Sequence, residues 1–259
     1  MRVTTIIVTK DDDERLTHTL LSINRQIGSG KFWEILVFDG GSSSKTRILV
    51  ENLIRSDLNC VYIQAKDSGI YDAMNRAVEM ASGQFVHFLN CGDSLSQPDS
   101  MNRILELVES SRTFYTWDLL DQEGHKVLSL EHLNLWSLIT GTTSYCHQGQ
   151  MISKRLFSEI GKLSANFKVC ADFEMTLKLL TVTTPTHCPK ILVHYQGYGF
   201  SRNSPDLLLD EKRLALRTWQ TWLFSRDIKV NGFVRFYAIV LSSSLIAFKI
   251  QRRIASFHD

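Results

Sequence analysis

Two residue periodicities alternate through the first ninety positions, and that alternation limits the fold more than any other feature of the chain. Short β-rich runs occur at Thr4–Val8, Glu34–Phe38, Cys60–Gln64 and Gln84–Leu89. Helical patterns fill the gaps, over Glu14–Gln26, Lys45–Ile54 and Ile70–Ala81. In the last of these, Ile70, Ala73, Met74, Ala77, Val78 and Ala81 recur at steps of three and four and form one apolar face. Strands alternating with helices predict βαβ units, hence an α/β fold with a mostly parallel sheet and helices on both faces. Ligands bind such sheets beyond the carboxyl ends of the strands, so chemistry is expected there.

The strand ends carry small and acidic residues. The first ends in Thr9-Lys10-Asp11, the second in Asp39-Gly40-Gly41-Ser42-Ser43-Ser44. The third connection reads Asp67-Ser68-Gly69-Ile70-Tyr71-Asp72-Ala73-Met74-Asn75, and the fourth strand runs into Asn90-Cys91-Gly92-Asp93. Each has an ordinary structural reading: Ser43 or Ser44 as a helix cap, Asp67 or Ser68 as another, Gly92-Asp93 as a turn. Together they make an acidic, small-residue rim suited to a base, a ribose, a diphosphate and a hard divalent cation. No G-x-G-x-x-G follows the first strand, which disfavours the common dinucleotide site. Gly28-Ser29-Gly30-Lys31 precedes a strand instead of following one, and Phe32 stands where a phosphate loop needs Ser or Thr.

The chain is 259 residues long, enough for one large α/β domain with an appendage. Its net charge of +2 gives no general case for nucleic-acid binding. The charge is uneven: residues 211–259 hold nine Lys or Arg against three Asp or Glu, and the rest of the chain is net acidic. Five cysteines without a C-x-x-C pair argue against a zinc ribbon or a disulfide framework and suit a reducing cytosol. The start of the chain lacks the apolar core of a signal peptide.

Beyond Leu89 the pattern loosens. Met101–Ser110 and Phe173–Leu180 read as helices, and Phe114–Trp117, Lys126–Leu130 and Ile191–Tyr195 as strands. The last 49 residues read as two helices, about Glu211–Phe224 and Gly232–Ile254. The uncharged run Phe236–Phe248, bracketed by Arg235 and Lys249, is short of the roughly 20 residues a spanning helix needs. It fits a helix lying in a membrane surface with basic ends and aromatic anchors. The alternative is a helix packed on the domain or in a homodimer.

The runs TIIVTKDDDERLTHTLLSI, WEILVFDGGSSSKT and DSGIYDAMNRAVEMASGQFVHFLNCGDSL, in that order, resemble the family two inverting glycosyltransferases with the GT-A fold. Within that family they resemble the bacterial branch that builds capsular, exopolysaccharide or O-antigen repeat units, of colanic-acid type. The resemblance is strong over residues 3–95 and weaker to about 203. It implies a GT-A, Rossmann-like transferase domain over 1–206, with a nucleotide-sugar half at 1–95 and an acceptor half at 96–206. Residues 207–259 remain as basic, aromatic helices at a membrane surface.

The resemblance also implies roles. Thr9, beside Asp11, matches the residue lying against the nucleobase, and Asp39 the acid that takes the base N–H. The acid expected after Asp39, a ribose contact, is Gly40 here. Gly69 and Asn75 match the third donor motif, with Met74 where an Arg often stands. Asp93 matches the metal-binding acid, with Asn90 and Gly92 replacing earlier acids. Asp172, preceded by Ala171 in place of Glu, matches the general base, and Glu174 is the fallback. His147, His194, Ser201 and Arg202 are candidates for acceptor or diphosphate contacts.

The implied reaction moves a sugar from a nucleoside diphosphate, UDP favoured, to a hydroxyl of a polyprenyl-diphosphate-linked saccharide at the cytosolic membrane face, with Mn²⁺ or Mg²⁺ as cofactor. Two rivals stand beside it. One is a non-catalytic nucleotide-sugar-binding or membrane-recruitment module with a degenerate site. The other, a nucleotidyltransferase, is disfavoured because the stretch after the first strand is acidic where a basic Gly-rich loop is expected.

Overall fold

The computed structural model describes residues 2–226, apart from 29, 109–111, 122, 125–126, 129, 141–145 and 198–203. The second tail helix, Ser201 and Arg202 therefore lie outside the described residues. In chain order the first half runs β1 (Val3–Thr9), α1 (Asp13–Asn24), β2 (Trp33–Asp39), α2 (Ser44–Leu53), β3 (Asn59–Gln64), α3 (Ile70–Met80), β4 (Phe85–Phe88) and β5 (Ser94–Leu95). Then come α4 (Ser100–Leu107), β6 (Phe114–Leu120), β7 (Val127–Leu128), α5 (Leu135–Thr140), a 3₁₀ turn (His147–Gly149), β8 (Gln150–Ser153), α6 (Lys154–Ile160), α7 (Ala171–Val182), β9 (Thr186–His194) and α8 (Pro205–Ser225).

Among the described residues the strands form one sheet in the order β3-β2-β1-β4-β8-β6-β9-β5, with β7 beside β6. The strands β3, β2, β1 and β4 are parallel, as the βαβ pattern requires. The chain winds outward from β1 through β2 to β3 and returns to place β4 on the other side of β1. That reversal opens a crevice at the carboxyl ends of β1 and β4. Right-handed crossovers put α1 and α2 together on one face, and α3, packed on β1 and β2, on the other.

Strands β1 and β2 are buried throughout, which is why they read as continuous apolar runs. The polar groups inside are paired: Trp33 Nε1 donates to Thr5 Oγ1 at 2.9 Å, and Glu34 accepts from the Thr4 hydroxyl at 2.5 Å and from Ser82 N at 2.8 Å.

The second half departs from the expected pattern in ways that have physical causes. β8 is four residues long and buried on both faces, so it shows no alternation; it pairs antiparallel with both β4 and β6. β9 begins at Thr186, five residues before the expected strand, and runs through Pro189. Its ladder with β6 skips Pro189 and Lys190 in a bulge, where a missing N–H costs no ladder bond. The first tail helix, α8, packs on α7, with Glu211, Ala215, Trp219 and Leu223 buried along one stripe. Trp219 donates through Nε1 to Thr181 Oγ1 at 2.9 Å, so this helix is seated on the domain over its described length.

Candidate active site

The rim is built by register. Thr9 on β1 lies opposite Asp39 on β2, and Asp39 opposite Gln64 on β3, so the three strands end level. Asp39 is fully buried. Its Oδ1 accepts from Gly41 N at 3.0 Å, Ser42 N at 2.8 Å and Ser42 Oγ at 2.6 Å, and its Oδ2 accepts from the Tyr62 hydroxyl. This carboxylate shapes the 40–42 turn, and any base N–H it takes must share an oxygen already engaged. Asp11 has a left-handed φ of 52° and donates its N–H to Ser42 Oγ at 2.7 Å, tying the first turn to the second. The buried Thr9 Oγ1 has no hydrogen-bond partner among the described residues.

Gly69 starts α3 with φ 140°, a backbone state that a side chain disfavours. Asn75 spends its amide on the main chain of Leu163, donating to its oxygen at 2.7 Å and accepting from its nitrogen at 2.9 Å. It thereby ties α3 to the segment after α6, and a donor contact would have to displace those bonds.

Asp93 follows a turn in which Gly92 takes φ 97°. The Thr19 hydroxyl on α1 holds that turn, accepting from Gly92 N at 2.9 Å and donating to Asp93 O at 2.8 Å. The Asp93 carboxylate is buried and accepts from Gln148 Nε2 at 2.8 Å and Gln196 N at 2.9 Å. Burial pushes its pKa up to about 6 against the opposing pull of those bonds.

Pairing of β8 with β4 brings His147 to the end of β4, where His147 Nε2 meets Asn90 Nδ2 at 3.1 Å. An ionised carboxylate only accepts, so His147 Nδ1 is the donor to Asp172 Oδ2, at 2.7 Å. Asp172 Oδ1 accepts from the Tyr71 hydroxyl at 3.1 Å and from Phe173 N at 3.0 Å. Burial pushes the Asp172 carboxyl up, but the hydrogen bond and charge of His147 outweigh it and hold the group below its ordinary value. Its place in the first turn of α7 favours the ionised form as well. The helix is capped at Cys170, so Asp172 is not the cap. Its side chain is 16% exposed, open to a reactant on one side.

Three further placements complete the picture. Glu174 lies in the α7–α8 interface, paired with Lys178 at 2.9 Å under Trp222, and cannot serve as the fallback base. His194 lines a cleft of about 250 Å³ with His18, Arg25 and Gln196, on the α1 side of the Asp93 turn. Tyr71 was not foreseen, because it sits 101 positions from Asp172 inside an apolar helix pattern. Nor was Glu211 of α8, which accepts from Lys168 N at 2.8 Å, Val169 N at 2.8 Å and Cys170 N at 3.0 Å and so anchors the approach to Asp172.

No three His, Cys, Asp or Glu side chains gather as a metal cage among the described residues. Asp93 and the buried Asn90 Oδ1, which lacks a partner, nevertheless fit a cation whose remaining ligands arrive with a diphosphate.

Comparison with known proteins bears on the fold and the family. The model of glycosyl transferase family 2 matches residues 4–159. A PGL/p-HBAD biosynthesis glycosyltransferase of Mycobacterium bovis is 27% identical over 237 residues, covering 87% of this chain and 86% of that protein. Chondroitin synthase of Escherichia coli is 24% identical over 64% of this chain and 25% of its own length. The fold matches S. aureus TarS 1–349 in complex with UDP-GlcNAc, with TM-score 0.72 and 16% identity over 88% of this chain and 68% of that one. Against a longer TarS chain, this chain spans 41% of the length. Mannosyltransferase PcManGT from Pyrobaculum calidifontis, in complex with GDP-Man and Mn²⁺, matches with TM-score 0.67 and 14% identity over 98% of this chain and 73% of that one. The GT-A-like sheet with its acid-lined switch point, and the family match over most of it, together assign the chain: it belongs to glycosyl transferase family 2.

Proposed function

We propose that this glycosyltransferase moves a sugar, with inversion, from a nucleoside diphosphate to a hydroxyl of a lipid-linked saccharide. The carrying observation is the carboxylate of Asp172, held ionised by His147 and Tyr71 and joined through His147 and Asn90 to the Asp93 turn. In the reaction the acceptor oxygen attacks the anomeric carbon as the bond to the diphosphate breaks, and the departing electron pair goes to the diphosphate. The acceptor hydroxyl becomes strongly acidic as its new bond forms, so a carboxylate of low pKa suffices to take the proton. His147 Nδ1–H fixes the free face of Asp172 toward that proton. Asp93 and Asn90 would hold a divalent cation, whose chemistry is to neutralise charge on the leaving diphosphate. Thr9, Asp11, Asp39 and Gly69 form the rim for the nucleoside.

A thermal-shift series with UDP, GDP, CDP and dTDP, each with and without Mn²⁺, tests the donor site. One nucleotide is expected to raise the midpoint in a metal-dependent way, and Asp93→Ala to abolish the rise. A chain that none of the four stabilises would sink the reading.

The acceptor class rests on the basic, aromatic residues 211–259, which suit an anionic membrane surface. Full-length protein is expected to sediment with vesicles containing anionic lipid. Replacing Lys229, Arg235, Lys249, Arg252 and Arg253 by Gln should release it. Equal sedimentation with neutral vesicles would count against an electrostatic contact.

A further inference from the structure

Gly40 stands where an acid would follow Asp39, and a side chain there would have to displace the carboxylate of Asp67. A Cβ on Gly40 would lie 2.1 Å from Asp67 Oδ2 and 3.3 Å from Lys10 Cδ. The carboxylate of Asp67, from the β3–α3 connection, thus occupies the volume that a side chain at position 40 would enter. Its other oxygen, Oδ1, accepts from Gly69 N at 2.9 Å, a bond that orients the group across the rim. Among the described residues Oδ2 accepts no hydrogen bond, and Asp67 is half-buried, so this oxygen remains open to a ligand.

The neighbouring acid cannot supply the same contact. Asp39 is fully buried and has four donors on its two oxygens. Asp67 is the remaining carboxylate that reaches the space over Gly40. A ribose diol presents two O–H donors to an acidic rim, and an ionised carboxylate is the acceptor that binds them most strongly.

We propose that Asp67 reads the ribose hydroxyls of the donor nucleotide, doing from the third connection what an acid at position 40 would do from the second. This rests on the donor reading given above. The site therefore selects ribonucleoside over deoxyribonucleoside diphosphates through a residue outside the second-strand motif.

The test is calorimetric titration of the full chain with UDP, GDP and CDP and with their 2′-deoxy counterparts, in the presence of Mn²⁺. The wild type is expected to prefer the ribonucleotide by roughly 10- to 100-fold, the worth of a hydrogen bond to a charged group. Asp67→Ala should bring the two sugars to nearly equal affinity. Asp67→Asn keeps an oxygen for the Gly69 turn and should cut the preference while melting like the wild type. Adding Gly40→Asp to Asp67→Ala restores a carboxylate in the same volume and should recover the preference. An unchanged ribose-to-deoxyribose ratio in Asp67→Ala, or no preference in the wild type, overturns the inference and leaves the donor site standing. Failure of the wild type to bind any of these, or dTDP, overturns the donor reading, and this one with it.

Discussion

Asp172→Asn is expected to lower the turnover of sugar transfer by about 10²- to 10⁴-fold, the usual worth of a positioned general base, while leaving nucleotide affinity unchanged. The substitution is nearly isosteric. An Asn keeps an oxygen for the Tyr71 hydroxyl and Phe173 N, so α7 retains its first turn. It removes the charge that His147 Nδ1–H faces and leaves no basic oxygen for the acceptor's proton. Steady-state kinetics with donor and acceptor, beside direct nucleotide titration, separates the two effects. Full turnover in the variant would exclude Asp172 as the base. Intact donor binding in a wild type that never turns over would favour the non-catalytic module.

The depressed pKa of Asp172 also has a sign for stability. A carboxyl held below its unfolded value stabilises the fold above the unfolded pKa of about 4, and that contribution disappears as the pH falls through the folded value. Activity should therefore not lose its base near neutral pH.

Glu211→Ala is expected to produce the largest loss of stability. The Ala variant strands the N–H groups of Lys168, Val169 and Cys170, of which the last two bonds are buried. Each unsatisfied buried donor costs about 1–3 kcal/mol, so the two buried ones together should cost roughly 2–6 kcal/mol. For a chain of this size that is a fall of about 4–24 °C in midpoint, read by thermal unfolding. Glu211→Gln keeps one acceptor oxygen and should lie between. Because these three residues lead directly into α7, the Gln variant should also lower kcat more than it raises KM. A Glu211→Ala protein that melts with the wild type would remove α8 from any role in the site.

Four of the five positions that depart from the resembling motifs have a local cause. Gly40 faces the Asp67 carboxylate, and Gly92 adopts a left-handed backbone that an acid would strain. Asn90 is engaged with His147, and Ala171 is fully buried, where a charged side chain is costly without a partner. Departures with such reasons describe a packed site more than a decayed one, and they weaken the non-catalytic alternative.

The sequence by itself determined the parallel half of the sheet, its helices and the rim at its strand ends. Those features follow from local periodicity and turn chemistry, both of which act between residues near each other in the chain. The same locality limited what was legible later. β8, α5 and α6 are too short or too evenly buried to carry a period, and β9 passes through a proline that only a bulge accommodates. Tertiary structure alone decided that Tyr71, His147 and Asp172 share one hydrogen-bonded cluster, since those contacts join α3, a 3₁₀ turn and α7 across as many as 101 positions. It also decided that Glu211 anchors the entrance to α7 and that Asp67 fills the place of a missing acid. Hydrogen bonds between distant side chains depend on where the sheet carries them, and no spacing in the sequence encodes that distance.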